Sequence, residues 1–237
     1  MSIDRKNGIL DFVTIGRKNI KVVHRNLPTA ILYEHVIRNR EGQLSSAGPL
    51  VVRSGDCEER PLTDKFIVDE PDSAAAMIRF DHPQLLSEER FQRLLNRLLA
   101  YMQNKEVYVQ YCRAGGDPDH RTSIRFITET AWHSLFVRNM FTPIQDVEDF
   151  EAFDPDFTVV HIPRFQAIPE ADGTHSPAFV IFSFGQKAAF ICGTSHAGEI
   201  RQAMFTIFTH RFPQDAVFVM RSSANIGADG DVAIFMG

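Results

Sequence analysis

Phe91, Leu94, Leu95, Leu98, Leu99 and Met102 recur at spacings of three and four, with Arg90, Arg93, Asn96 and Arg97 between them. That is the repeat of a helix with one apolar stripe. Ser87, followed by Glu88 and Glu89, supplies a start signal, because its hydroxyl can accept from a free first-turn amide and the carboxylates suit the positive end of the helix dipole. The pattern predicts a helix beginning near Ser87, with the arginines as its solvated face. Two further helices follow from the same spacing. One spans 131–141, with Trp132, Leu135, Phe136 and Met140 on one side, and the other spans 198–211, with Ile200, Met204, Ile207 and Phe208.

Elsewhere the pattern shortens to β-branched and aromatic runs that read as strands: 107–112, 157–162, 179–184, 188–192, 216–220 and 231–236. Gly185 and Gln186 between the third and fourth predict a hairpin. Polar clusters at 39–48, 115–120, 170–176 and 221–230 read as surface loops. Helices and strands interleave without strict alternation, which predicts an α/β (α+β) fold, a single domain over 1–237 with a mixed β-sheet flanked by helices.

Composition fits that reading. The chain has 237 residues, 44% of them hydrophobic and 20 of them Phe, enough to bury roughly 70 to 75% of the unfolded surface. A net charge of −5 gives no general attraction to nucleic acid or anionic lipid, so neither is expected as a partner and any anion site must be local. The start MSIDRKNGIL has no apolar core of signal-peptide length, and no run approaches a membrane span. A cytoplasmic location is expected. Cys57, Cys112 and Cys192 are widely spaced and odd in number, which fits reduced structural thiols.

Short catalytic signatures are missing: there is no HExxH, GxSxG or complete GxxxxGKT, and the nine histidines have no zinc spacing. Two segments could hold chemistry. GTSHAGE (193–199) joins a predicted strand to a predicted helix, where helix-terminal amides can hold an anion, although by itself the junction reads first as a plain turn. MRSSANIG (220–227) reads by itself as a polar loop.

Read together, the blocks NLPTAILYEH (26–35), GPLVVRSG (48–55), DKFIVDEP (64–71), RFITETAWHSLFVRNMF (125–141), FDPDFTVVHIP (153–163), GTSHAGEIRQAMFT (193–206) and SSANIGADGDVAIFMG (222–237) resemble the amino-terminal domain of ATP-dependent phosphoenolpyruvate carboxykinase, collinearly from about Asn26 to Gly237. The resemblance implies that family's reaction, oxaloacetate and ATP to phosphoenolpyruvate, carbon dioxide and ADP with magnesium and manganese, in a site between two domains. It places Gly237 at the first glycine of the phosphate-binding loop and 216–237 at the first strands of the nucleotide domain. The nucleotide machinery would then lie beyond this chain, and ATP and metal would be needed only if that domain came from another chain.

The resemblance also assigns site positions. Arg60 aligns with the family's oxaloacetate-binding arginine, within a segment that otherwise departs from the family and carries Glu58 and Glu59. His196 aligns with a substrate-contacting tyrosine, and Arg201 and Gln202 with two lysines, the second a manganese ligand. Arg221 aligns with a histidine ligand of the same metal. An amide is a poor substitute for that amine, and a guanidinium offers no lone pair. The expected site is therefore metal-free, with Arg60, Arg201 and Arg221 converging on a carboxylate or phosphate and His196 beside them. Two readings follow. The first is a catalytically silent domain that binds a small anionic metabolite or a protein partner. The second is the front part of a split or truncated carboxykinase. The closing hairpin, left apolar, is expected to favour a homodimer or association with a carboxykinase nucleotide domain.

Overall fold

A computed structural model describes residues 20–53, 64–71, 84–145 and 153–236. Arg60, Glu58, Glu59 and Cys57 lie outside these residues. Thirteen strands and five α-helices are described in chain order: β1 Val22–Arg25, α1 Thr29–Arg38, β2 Gly42–Leu44, β3 Leu50–Val52, β4 Lys65–Val68, β5 Gln84–Leu86, α2 Glu88–Met102, β6 Glu106–Ala114, β7 Thr122–Thr128, α3 Ala131–Met140, β8 Thr142–Pro143, β9 Phe157–Ile162, α4 Pro169–Asp172, β10 Phe179–Ser183, β11 Ala188–Cys192, α5 Gly198–Arg211, β12 Ser223–Ile226 and β13 Val232–Phe235.

Nine strands form one mixed sheet in the order β1-β6-β7-β9-β11-β10-β4-β5, with β8 against β6. Both faces are covered. On one, α2 brings Phe91, Leu94, Leu98 and Met102 against Val109, Tyr111, Ile127 and Val160. On the other, α5 brings Ile200, Met204 and Ile207 against Ile124, Phe126, Val159 and Ile191, and α1 packs Leu32 and Val36 on Tyr108 and Leu135. Cover from both sides is why β9, β10 and β11 are buried at every position and read as mostly apolar rather than alternating. Cys112 and Cys192 are buried free thiols in this core, and burial raises the Cys112 thiol pKa to about 12.

The helix predicted at Ser87 starts there, with the Ser87 hydroxyl accepting from the Arg90 amide at 3.4 Å. The hairpin of β10 and β11 is antiparallel, pairing Phe179 with Cys192 and Ser183 with Ala188. Four expectations need correction. Residues 216–220 form no strand. Instead β12 occupies part of the expected loop 221–230, pairing Ser223 with Phe235 and Ile226 with Val232, because the Gly227–Asp231 turn folds β13 back on the segment immediately before it. The 39–48 loop contains β2, which pairs with β3. The 170–176 loop is partly α4, and its Asp172 and Thr174 are buried. Arg97 is accordingly not simply solvated: it pairs with the buried Asp172 carboxylate and lies over Phe165, so it ties α2 to α4.

Candidate ligand site

Strands β7, β9 and β11 run parallel to one another, so their carboxyl ends share one edge of the sheet, the usual place for ligands in such sheets. Three loops leave that edge, carrying Thr130 after β7, Pro163 and Arg164 after β9, and Ser195 after β11. With Arg40, Glu41 and Leu44 around β2 and with Val51 and Arg53 on and after β3, they line a cleft of about 1080 Å³ that also includes Ile37 and Trp132.

His133 braces this edge from below. It is fully buried, and since a carbonyl can only accept, its Nε2–H donates to the Ser195 carbonyl at 3.1 Å. Nδ1 is then the acceptor for the Thr130 hydroxyl. Burial foremost, then neighbouring His161 and Arg164, hold its pKa well below the ordinary histidine value. A neutral imidazole thus fixes two cleft loops at once. His161, its ring centroid 4.1 Å away, is also fully buried, and burial lowers its pKa to about 3.

Glu129 braces the neighbouring loop. Its buried carboxylate accepts from the Tyr101 hydroxyl at 2.7 Å and from the Arg164 amide at 3.1 Å, with Lys105 Nζ and the Arg164 guanidinium each at 4.0 Å. Within the cleft, Glu41 accepts from the Trp132 amide at 2.9 Å and from Asn39 Nδ2 at 3.1 Å. Burial, the largest influence on it, raises its pKa above that of an ordinary carboxylate.

Of the residues expected from the sequence, Arg60 lies outside the described residues, and His196, Arg201, Gln202 and Arg221 are not among those that line this cleft. His196 follows the cleft residue Ser195, and its amide donates to the Thr194 hydroxyl at 3.2 Å. Arg201 and Gln202 lie in the first turns of α5, Arg201 exposed and Gln202 half-buried. Arg221 sits with its guanidinium 4.5 Å from the centroid of the Phe205 ring. Since residues four apart share a helix face, this brings Arg221 to the face of α5 that carries Arg201, one turn along. Gln202 and Arg221 do not furnish a nitrogen donor set for a divalent ion, and among the described residues no three His, Cys, Asp or Glu side chains come together as one.

Sequence reasoning missed Arg40, Arg53, Arg164 and His133. The last lies inside the block RFITETAWHSLFVRNMF, where the block itself was the available signal. Arg53 likewise lies inside a block, GPLVVRSG, whereas Arg40 and Arg164 fall outside the blocks, and only the fold gathers the three at one cleft.

The comparisons with known proteins agree with one another. The profile of the phosphoenolpyruvate carboxykinase family matches residues 21–237. "Phosphoenolpyruvate carboxykinase (ATP)" of Geobacter sp. (strain M21) is 42% identical over 222 residues, covering 94% of this chain and 42% of the relative. The protein of that name from Caldanaerobacter subterraneus subsp. tengcongensis is 42% identical over 229 residues, 97% of this chain and 44% of the relative. The one from Thermus thermophilus is 41% identical over 220 residues, 92% and 42% respectively. The chain spans about two fifths of the length of these relatives. The matched range includes the strands and loops that build the sheet edge described above, and the chain belongs to the phosphoenolpyruvate carboxykinase family.

Proposed function

We propose that this chain is a carboxykinase-family domain that binds a small carboxylate or phosphate through guanidinium groups, without metal, and that it is not a catalyst by itself. The observation that carries this reading is the seat of Arg221 on Phe205, beside the helix face that presents Arg201. Where the family resemblance puts a metal's nitrogen ligands, the chain has an amide and a permanent cation. Two forked cations near a helix start suit an oxyanion, and each can pair bidentately with carboxylate or phosphate. Calorimetry with oxaloacetate, phosphoenolpyruvate, malate and inorganic phosphate, with and without manganese, tests it. At least one ligand binds, manganese leaves its affinity unchanged, and Arg221→Ala weakens it about tenfold, the size of one lost charge-assisted contact. No heat from any of the four with the fold intact refutes the reading.

A second reading, the front part of a carboxykinase whose nucleotide domain comes from another chain, draws on the closing hairpin. Every residue of β12 and β13 is exposed, Ile226 by 73% and Phe235 by 60%. Phosphoenolpyruvate formation from oxaloacetate and ATP on mixing with a carboxykinase nucleotide domain would support it, and an inert mixture would remove it.

A further inference from the structure

Arg40 closes α1 at a position that ordinarily takes glycine. Its amide donates to the Ile37 carbonyl at 3.1 Å and that of Glu41 to the Val36 carbonyl at 2.9 Å. These are the paired bonds that end a helix through one left-handed residue. Arg40 is that residue, with φ 57°, where any L side chain carries strain that glycine lacks. Strain of this kind persists where the side chain has a use. The Arg40 side chain lines the cleft, together with Arg53 after β3 and Arg164 after β9.

Charge among the described residues of that cleft is unbalanced. Among the described residues, three lining guanidiniums face a single lining carboxylate, Glu41, already taken up by the Trp132 amide and Asn39. No described acid forms an ion pair with Arg40 or Arg53, while Arg164 reaches Glu129 only at 4.0 Å. The described lining thus carries a surplus of two positive charges in a chain whose net charge is −5. Trp132 and Val51 add an aromatic and an apolar wall, and about 1080 Å³ exceeds what a two- or three-carbon acid fills.

We infer that Arg40, Arg53 and Arg164 form a second anion site, separate from Arg201 and Arg221, whose ligand is an organic polyanion: a phosphate ester or a tricarboxylate with its body along Trp132. The guanidiniums take the charged oxygens bidentately, and Ser195 offers its hydroxyl to neutral polar groups. A purely structural role for Arg40 is the competing account, since a cation at a helix carboxyl end favours the dipole. The two accounts predict opposite results from one substitution.

Arg40→Gly removes the guanidinium and relieves the backbone. Titration calorimetry of the whole chain with citrate, AMP and inorganic phosphate, each without metal, is paired with thermal denaturation. Citrate or AMP binds more tightly than inorganic phosphate, and whichever binds names the ligand chemistry. Arg40→Gly and Arg164→Ala each weaken that binding about tenfold, Arg40→Gly leaves Tm unchanged or raised, and Arg201→Ala with Arg221→Ala has no effect on it. Binding by neither citrate nor AMP, wild-type affinity in both cleft variants, or a lowered Tm in Arg40→Gly overturns the inference. Because the α5 variants are scored separately, failure here is distinguishable from failure of the metal-free anion pair on α5.

Discussion

The guanidinium of Arg221 lies over the ring of Phe205, 4.5 Å from its centroid, so a residue from the chain's last segment rests on the helix that begins beside the cleft. A cation over an aromatic face gains about 0.5 to 1 kcal/mol at exposed sites. On the proposed reading, Phe205 positions Arg221. Phe205→Leu keeps the apolar packing and removes the ring's attraction, so anion affinity falls toward that of Arg221→Ala while the Tm changes little. Calorimetry beside thermal denaturation checks this, and unchanged affinity in Phe205→Leu would show that the stacking places nothing.

Acid should unfold this protein early. His133 and His161 both have folded pKa values below the unfolded value of about 6.5. Below pH 6.5 the unfolded chain takes up protons that the folded one refuses, so stability is full above that pH and falls as pH drops toward the folded values. For His161, with a folded value of about 3, the loss between pH 6.5 and 5 is about 2 kcal/mol. Urea denaturation across that range measures the slope. A flat profile would contradict the assignment, and His161→Leu should shallow it.

Gly193 holds the turn between β11 and the Ser195 loop. It has φ 71°, and an added Cβ would stand 2.5 Å from the Pro177 carbonyl oxygen and 2.8 Å from Ala178 Cα. Both are backbone atoms that cannot swing aside. Gly193→Ala should cost at least about 2 kcal/mol and disturb the cleft edge, read as a lower denaturant midpoint and weaker ligand binding.

Helix α2 separates two kinds of loss. Ser87→Ala removes an exposed cap bond of 3.4 Å and should cost about 1 kcal/mol. Leu98→Ala empties a fully packed position under the sheet and should cost about 2 to 5 kcal/mol. Equal losses in chemical denaturation would mean that α2 does not pack as described.

The closing hairpin exposes Ile226, Val232, Ile234, Phe235 and Met236, the last by 75%, and exposed apolar side chains of this size gathered on one hairpin favour association. Sedimentation at increasing concentration should show association that is lost in Ile226→Asp with Phe235→Asp. A strict monomer at high concentration would remove the self-association expectation.

By itself, the sequence determined what local chemistry can specify. The helix from Ser87, the strands β9 and β11 and the β10–β11 hairpin follow from apolar spacing and caps, since these interactions span only a few residues. The blocks likewise carried the family. Arg97, by contrast, reads as solvent-facing in its own helix, and only the fold brings Asp172 to it from 75 positions away. The closing strand pair shifted from 216–220 to Ser223–Ile226 because a hairpin pairs across its own turn, a condition that apolarity does not encode. Arg40, Arg53 and Arg164 are unremarkable in sequence, separated by long intervals and set in unrelated local patterns. Tertiary structure alone decided that they share a cleft, because the β2–β3 hairpin that Arg40 and Arg53 flank and the loop after β9 that carries Arg164 line it together, and charge acts through space rather than along the chain.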